Sequence, residues 1–149
     1  MQDQLRELYQ ELIIDHGRHS RNFFCMHNAS VAKEGFNPLC GDRLMLYLKM
    51  QNEKIIDISF EGSGCAISMA SASLMTEALK GKSFSDAKKI FDAFHLLVTT
   101  GDESHITILG KLSALKGVCE FPVRVKCATL AWHTMMAAMQ HVPGNISTE

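Results

Sequence analysis

Hydrophobic residues first recur every three or four positions along the chain and then switch to strict alternation with polar residues. The first pattern, in residues 5–13, predicts an amphipathic helix that ends near Gly17. Its apolar face is formed by Leu5, Leu8, Tyr9, Leu12 and Ile13. The alternating pattern covers residues 43–51 and 56–60, and the polar residues between them predict a β-hairpin. A weaker signal at residues 29–32 predicts a third strand.

Helical periodicity covers most of the remaining chain. The predicted helices span residues 66–79, 85–98, 109–115 and 128–139. Ser83 and Asp86 have the spacing of a capping box ahead of the second of these segments. One small antiparallel β-sheet packed by a run of helices is an α+β fold. Since no internal repeat or linker interrupts the pattern, we expect a single domain over residues 1–149.

Composition places the chain among globular proteins. It has 149 residues, of which 46% are hydrophobic and 21% charged, so it can bury a core without disulfide bonds. A net charge of −1 and the lack of any Lys/Arg-rich run argue against nucleic-acid binding. No continuous apolar stretch reaches the roughly 20 residues of a membrane-spanning helix, and the acidic, amphipathic start is unlike a secretion signal. We therefore expect a cytoplasmic protein that binds neither nucleic acid nor membrane.

Five cysteines carry the first indication of chemistry. They are Cys25, Cys40, Cys65, Cys119 and Cys127. An odd number without a secretion signal favours metal binding or thiol chemistry over a disulfide framework. Because no two of them form a C-x-x-C pair, a metal site would have to be assembled from distant segments of the chain.

The predicted hairpin brings two of these cysteines together. For the apolar residues of both strands to face one core, the turn must have an odd length and be centred on residue 52 or 53. That register puts Cys40 within one residue of facing Cys65. Asp42 lies between Cys40 and the first strand of the hairpin, so its carboxylate can reach the same place. Strand pairing alone thus predicts half of a metal site.

A bound cation would offset the repulsion between the negatively charged side chains of such a cluster. Cys65 follows a Gly-Ser-Gly segment and is expected to begin a helix, and Cys127 is expected to begin the last helix. Backbone N–H groups at a helix N-terminus stabilise a thiolate by about 0.3–1 kcal/mol. Neighbouring thiolates still repel one another, by about 4 kcal/mol per pair at an effective dielectric constant of 20. Three cysteines and one aspartate complete the four-coordinate shell of zinc, although the hairpin leaves the position of Cys127 open.

Three segments of the chain resemble the IscU/NifU-type iron–sulphur cluster assembly scaffolds. They read Asn-Pro-Leu-Cys-Gly-Asp-Arg at residues 37–43, Phe-Glu-Gly-Ser-Gly-Cys-Ala-Ile-Ser-Met-Ala-Ser-Ala-Ser at residues 60–73 and Phe-Pro-Val-Arg-Val-Lys-Cys-Ala-Thr-Leu-Ala-Trp at residues 121–132. Lys126 stands where the IscU branch places a histidine, and an additional segment, residues 110–118, precedes the third motif. Both features are similar to the SufU subtype of this family.

The resemblance implies a zinc ion bound by three cysteines and one aspartate. Those ligands are Cys40, Asp42, Cys65 and Cys127. It also implies sulphur relay from a pyridoxal-phosphate cysteine desulphurase of the SufS kind to the downstream iron–sulphur assembly machinery. Cys40 is the expected sulphur acceptor because it lies in a loop beside the permissive Gly41, and the resemblance points to the same residue. Arg124, three residues before a motif cysteine, is expected to act beside the sulphur site.

Three functions are compatible with this set of residues. The leading hypothesis is a zinc-dependent sulphurtransferase that accepts persulphide sulphur and passes it to iron–sulphur cluster assembly. The main alternative is a scaffold that assembles and transfers a [2Fe–2S] cluster on the same ligands. A third hypothesis is a purely structural zinc module that binds partners without turnover. Cys25 and Cys119 lie outside the three motifs and are expected not to bind the metal.

Overall fold

The computed structural model describes residues 2–140 and 146–147. In this part of the chain the helices are α1 (Gln2–Arg18), α2 (Ala66–Leu79), α3 (Phe84–Thr100) and α4 (Pro122–Met139), and the strands are β1 (Val31–Asn37), β2 (Asp42–Gln51), β3 (Lys54–Ser63) and β4 (Ile146–Ser147). Two stretches of 3-10 helix, Ile106–Ile108 and Gly110–Glu120, connect α3 to α4. None of the helices described is both long and apolar enough to cross a membrane. The predicted α+β fold, a small sheet packed by helices, is confirmed.

The four strands form one sheet in the order β3–β2–β1–β4. β2 pairs antiparallel with both of its neighbours, while the two-residue β4 lies parallel to β1. The third strand predicted at residues 29–32 corresponds only to the beginning of β1, which continues to Asn37. Because β1 extends so far, β1 and β2 form a hairpin that the pair Asn37–Asp42 closes. Its loop consists of residues 38–41 and carries Cys40.

The β2–β3 hairpin has the expected register, but the length of its turn differs from the prediction. Its turn has two residues, Asn52 and Glu53, with positive φ angles of 53° and 63°, the conformation that tight hairpin turns favour. The prediction of an odd-length turn was therefore wrong. A β-bulge between Lys49 and Met50 shifts the pairing by one residue. Beyond the bulge, the apolar residues of the two strands lie opposite one another and face the core.

The core lies between one face of the sheet and the helices. The sheet contributes the fully buried side chains of Leu44, Leu46, Leu48, Ile58 and Phe60, each worth roughly 1.5–3 kcal/mol of burial. From α4, Trp132 stacks on Phe94 of α3 with ring centroids 4.6 Å apart and donates its indole N–H to Oγ of Ser71 in α2. A Cβ atom at Gly35 would overlap Oγ1 of Thr134, so the absence of a side chain there lets β1 approach α4 closely. α2 and α4 are thus held firmly against the sheet.

The last helix begins six residues earlier than predicted. α4 starts at Pro122, whose fixed φ suits the first turn of a helix. Phe121, Val123 and Arg124 are exposed, so this first turn lacks the apolar periodicity on which the prediction relied. The expectation that Cys127 begins the helix was consequently wrong, because Cys127 is the sixth residue of α4. The N–H groups of a helix N-terminus therefore do not stabilise its thiolate.

A buried histidine attaches the end of α1 to α2. His16 is 1% exposed, and its Nδ1 lies 2.7 Å from Oγ of Ser73. The same Oγ accepts the backbone N–H of Arg21 at 2.8 Å, which leaves the Ser73 hydroxyl proton to be donated to the imidazole. Burial, reinforced by the charge of Arg21, lowers the pKa of His16 below its usual 6.5, although the nearby Glu77 carboxylate opposes this shift. Neutral His16 is therefore the form that fits the contact.

We expect acidification to weaken folding through His16. Since its pKa is lower in the folded protein than in the unfolded chain, the unfolded chain binds this proton first as the pH falls below 6.5. The stabilisation is complete above that value and is lost towards lower pH. Urea denaturation at pH 7.5 and 5.5, with zinc in excess, should show a smaller pH dependence of the unfolding free energy for His16→Gln than for the unaltered protein. Equal pH dependence in the two proteins would show that another group is responsible.

Candidate metal centre

Four chain segments converge where the β1–β2 loop meets the ends of α2 and α4. Cys40 lies in the loop, Asp42 is the first residue of β2, Cys65 is the N-cap of α2 and Cys127 lies inside α4. Cys40, Asp42 and Cys127 each offer a ligand atom within 4.8 Å of the others. The Sγ atoms of Cys40 and Cys127 are 3.2 Å apart, and Sγ of Cys65 lies 4.0 Å from Oδ2 of Asp42. The fold thus brings three of the four nominated zinc ligands, Cys40, Asp42 and Cys127, within this distance of one another, while Cys65 lies outside that group and beside Asp42.

Asp42 is held by hydrogen bonds on both of its carboxylate oxygens. Its side chain is fully buried. Oδ1 accepts the backbone N–H of Cys65 at 2.9 Å, and Oδ2 accepts an amide N–H of Asn37 at 3.2 Å. Gly64 runs directly past this carboxylate, and a Cβ atom at Gly64 would overlap Oδ1 and lie 3.1 Å from the Asp42 Cα atom. The glycine before Cys65 is therefore needed, because any side chain at this position would occupy the space of the Asp42 carboxylate.

Asn37 belongs to the centre, although sequence analysis did not identify it. Its side chain is fully buried at the end of β1. Besides its bond to Asp42, the amide nitrogen lies 3.5 Å from Sγ of Cys127, and its carbonyl oxygen accepts the backbone N–H of Leu39 at 3.2 Å. An Asn that precedes Pro38 at the start of a loop is typical of such a turn, in which the side chain bonds the backbone two residues on. That signal predicts the turn but not the contacts with the ligands.

Cys65 and Cys127 occupy different environments on their helices. The prediction that Cys65 begins α2 is confirmed, and its Sγ accepts the backbone N–H of Ser68 at 3.4 Å. Cys127 is 2% exposed. Burial raises the pKa of the Cys127 thiol, and the hydrogen bonds and charges of its neighbours in the cluster raise it further. Without a cation Cys127 is therefore a neutral thiol.

The donor set fits zinc. Three sulphur atoms and one carboxylate make up a tetrahedral Zn²⁺ shell, and zinc accepts both atom types. A divalent ion would also offset the burial and the neighbouring negative groups that favour the neutral form of Cys127. Within the part of the chain that the structure describes, Cys40, Asp42 and Cys127 form the one group of at least three potential ligand atoms this close together.

Exposure separates Cys40 from the other potential ligands. Cys40 is exposed, Cys65 is half-buried, and Cys127 and Asp42 are buried. The neighbouring Gly41 has a φ of +69°, a conformation that suits glycine, and is surrounded by open space. Cys40 therefore combines contact with the buried cluster and access from solvent.

The remaining candidates lie at the edge of the centre or outside it. Arg124 is exposed on the first turn of α4, and its guanidinium lies over the ring of Phe121, 4.6 Å from the ring centroid. Cys25 is exposed and interacts with the hydroxyl of Tyr47 on β2. Cys119 lies in the 3-10 region before α4. Neither of these two cysteines belongs to the described ligand cluster.

Comparison with known proteins shows one family along nearly the whole chain. Residues 8–144 match the model of the NifU-like N-terminal domain. The chain is 41% identical over 131 residues to the zinc-dependent sulfurtransferase SufU of Bacillus subtilis, covering 88% of each protein. It is 37% identical over 136 residues to the iron–sulfur cluster assembly scaffold protein IscU of Streptococcus pyogenes, covering 91% of this chain and 85% of the relative.

A solved structure gives the same result for the fold. The crystal structure of an iron–sulfur cluster assembly scaffold protein for the SUF system from Fervidobacterium islandicum superposes with a TM-score of 0.83 at 34% identity. The match covers 89% of this chain and 97% of that one. Similarity in both sequence and structure therefore extends well beyond the cysteine motifs.

Replacing Gly64 should weaken metal binding without affecting the core. In Gly64→Ala the new methyl group displaces the Asp42 carboxylate, and we expect zinc affinity to fall roughly 10-fold or more, as for other changes around a metal ligand. Competition with a chromophoric chelator measures this affinity. Gly117→Ala is the matched control, because a Cβ atom there meets nothing within 4 Å. Equal zinc affinity in the two variants would contradict the role assigned to Gly64.

Proposed function

The chain belongs to the NifU-like N-terminal domain family, and we propose that within this family it is a zinc-dependent sulphurtransferase. It accepts persulphide sulphur from a SufS-type cysteine desulphurase and passes it to iron–sulphur cluster assembly. The observation that carries the proposal is the exposed Cys40 in contact with an otherwise enclosed set of zinc-type ligands. The similarity to the SufU of Bacillus subtilis supports the same function.

Cys40 is the best-placed sulphur acceptor of the three clustered cysteines. A thiolate is the species that attacks a persulphide, and zinc bound to the cluster would keep its cysteines deprotonated. The Cys40 sulphur attacks the outer sulphur of the desulphurase persulphide. A new S–S bond forms on Cys40, the bond within the partner's persulphide breaks, and the desulphurase cysteine leaves as a thiolate. Cys65 and Cys127 are less suited because packed helices hold them, whereas Cys40 lies on a four-residue loop.

The surface around Cys40 is suited to a protein partner. Leu39, Phe121 and Val123 are exposed apolar side chains with 59%, 46% and 52% of their surface accessible. They flank the two chain segments that carry Cys40 and Cys127, and Arg124 adds a positive charge there. We assign the desulphurase contact to this surface, because apolar residues with a neighbouring arginine are typical of interface centres. A cytoplasmic location accords with this role and stays a prediction.

Assembly of a [2Fe–2S] cluster is the alternative, and the similarity to the IscU of Streptococcus pyogenes supports it. The same four residues would then bind iron. Metal and sulphide analysis of protein purified without oxygen distinguishes the two functions: zinc at about one ion per chain supports sulphur transfer, whereas iron with labile sulphide supports the scaffold. A purely structural zinc site is disfavoured because one of its ligands, Cys40, lies exposed on a surface loop where a partner can reach it.

Cys40 should receive the transferred sulphur. After incubation of the zinc-loaded protein with a SufS-type desulphurase and free cysteine, mass spectrometry should find one added sulphur atom on the peptide that contains Cys40. Cys40→Ser should abolish this addition and the stimulation of alanine production by the desulphurase. Cys25→Ser is the matched control, because Cys25 is exposed as Cys40 is but lies outside the ligand cluster. Added sulphur only on Cys65 or Cys127 would refute the assignment of Cys40.

Arg124 should affect the desulphurase reaction but not the metal. Its guanidinium is exposed and stacked on Phe121, so Arg124→Gln removes a surface charge without opening the core. We expect the stimulation of alanine production to fall several-fold, with zinc content unchanged, because surface charges steer the approach of a partner. Arg18→Gln, which removes the charge of another exposed arginine at the end of α1, serves as the control. Loss of zinc from the Arg124 variant, or full stimulation by it, would contradict this role.

A further inference from the structure

Asn37 occupies a distinctive position between the sheet and the candidate metal ligands. It is the last residue of β1, pairs with Asp42 across the hairpin and is fully buried. The loop that follows it, residues 38–41, carries Cys40. Buried polar side chains need hydrogen-bond partners, since each unpaired group costs on the order of 1–3 kcal/mol. The partners of Asn37 therefore show what its side chain does.

The Asn37 amide contacts two ligands and the backbone next to a third. Its Nδ2 lies 3.2 Å from Oδ2 of Asp42 and 3.5 Å from Sγ of Cys127. An amide nitrogen carries two hydrogen atoms, so it can donate to both acceptors at once. Its Oδ1 accepts the backbone N–H of Leu39 at 3.2 Å. All of these bonds form around one side chain at the base of the Cys40 loop.

Both acceptors of the amide, the Asp42 carboxylate and the Cys127 sulphur, are nominated metal ligands. Hydrogen bonds from a second layer of residues orient such ligands and compensate their charge. Asp42 also accepts a hydrogen bond from the backbone N–H of Cys65. The position of Cys127 is fixed because it lies within α4. For Cys40, in contrast, the contact from Asn37 reaches only the backbone of the preceding residue, Leu39.

We propose that Asn37 is a positioning residue that holds Asp42 and Cys127 in place on the metal and so makes Cys40 the ligand that moves. This inference rests on the proposed function, in which the cluster binds zinc and Cys40 accepts sulphur. Asn37 and its two acceptors form the fixed part of the site. Residues 38–41 form the mobile part, and the bond from Leu39 to Asn37 sets their resting position. The side-chain amide of Asn37 thus separates the fixed ligands from the mobile one, because it bonds Asp42 and Cys127 directly but not Cys40.

Zinc affinity tests this role directly. Asn37→Leu keeps a similar volume but removes the three side-chain hydrogen bonds, and Asn37→Ala tests the same loss with a smaller side chain. We expect competition with a chromophoric chelator to show zinc affinity 10–100-fold lower, the usual range for such residues. Thr76→Val is the matched control: Thr76 is as fully buried and hydrogen-bonded as Asn37 but lies near the far end of α2 from Cys65. Its zinc affinity should stay within about twofold of the unaltered protein.

A second measurement separates positioning from a general loss of stability. In the zinc-loaded unaltered protein, limited alkylation with iodoacetamide followed by peptide mapping should label Cys40 before Cys127. In Asn37→Leu, labelling of Cys127 should increase relative to Cys40, while Thr76→Val should keep the original order. Unchanged zinc affinity in both Asn37 variants, or an equal loss in Thr76→Val, would overturn the proposal, and so would an unchanged ratio of Cys127 labelling to Cys40 labelling in Asn37→Leu.

These outcomes are independent of the desulphurase. If the unaltered protein binds zinc but Cys40 gains no sulphur from the partner, the sulphurtransferase function fails, while the role of Asn37 is still decided by zinc affinity and labelling order. If Cys40 gains sulphur and the Asn37 variants bind zinc normally, the function stands and the positioning role fails.

Discussion

The arrangement of the candidate metal centre depends on one fully buried carboxylate, that of Asp42. An ionised carboxylate remains in such a place only when hydrogen bonds or cations surround it. Asp42 takes one hydrogen bond from the start of α2 and another from the end of β1. These bonds align the two elements around Asp42 and bring Cys65 and Asn37 next to it. Even the glycine before Cys65 is needed, because a side chain there would occupy the space of the carboxylate.

The fold divides the ligand cluster into a rigid part and an accessible part. α2 and α4 are packed on the sheet through a continuous core, so Cys65 and Cys127 gain their positions from tertiary packing. Cys40 gains its position from a short hairpin loop with open space around Gly41. A chemical group that must both bind a metal and meet a partner requires this combination. The packing of the core and the exposure of one ligand therefore serve the same proposed function.

Cys65 and Cys127 differ in how their sulphur atoms are surrounded, and the environment of Cys127 favours its neutral thiol. Cys65 lies at the N-terminus of α2, where its Sγ accepts the backbone N–H of Ser68. Cys127 lies in the second turn of α4 and is buried, which raises its pKa. Its thiolate therefore depends on a cation and on the amide of Asn37. Metal binding and deprotonation of Cys127 are expected to occur together.

The sequence by itself determined the fold class, the β2–β3 hairpin, the start of α2 at Cys65 and the residues nominated as ligands, because alternation, helical periodicity and spaced motifs are local properties of the chain. It could not place Cys127 beside the other cysteines, since the exposed first turn of α4 has no apolar pattern and the approach of α4 to β1 depends on packing at Gly35. The turn length was wrong because a β-bulge, which has no clear sequence signal here, corrected the register. Only the tertiary structure decided that Asn37 meets Cys127, because a contact across 90 residues arises from the way the sheet and α4 pack and not from any local preference.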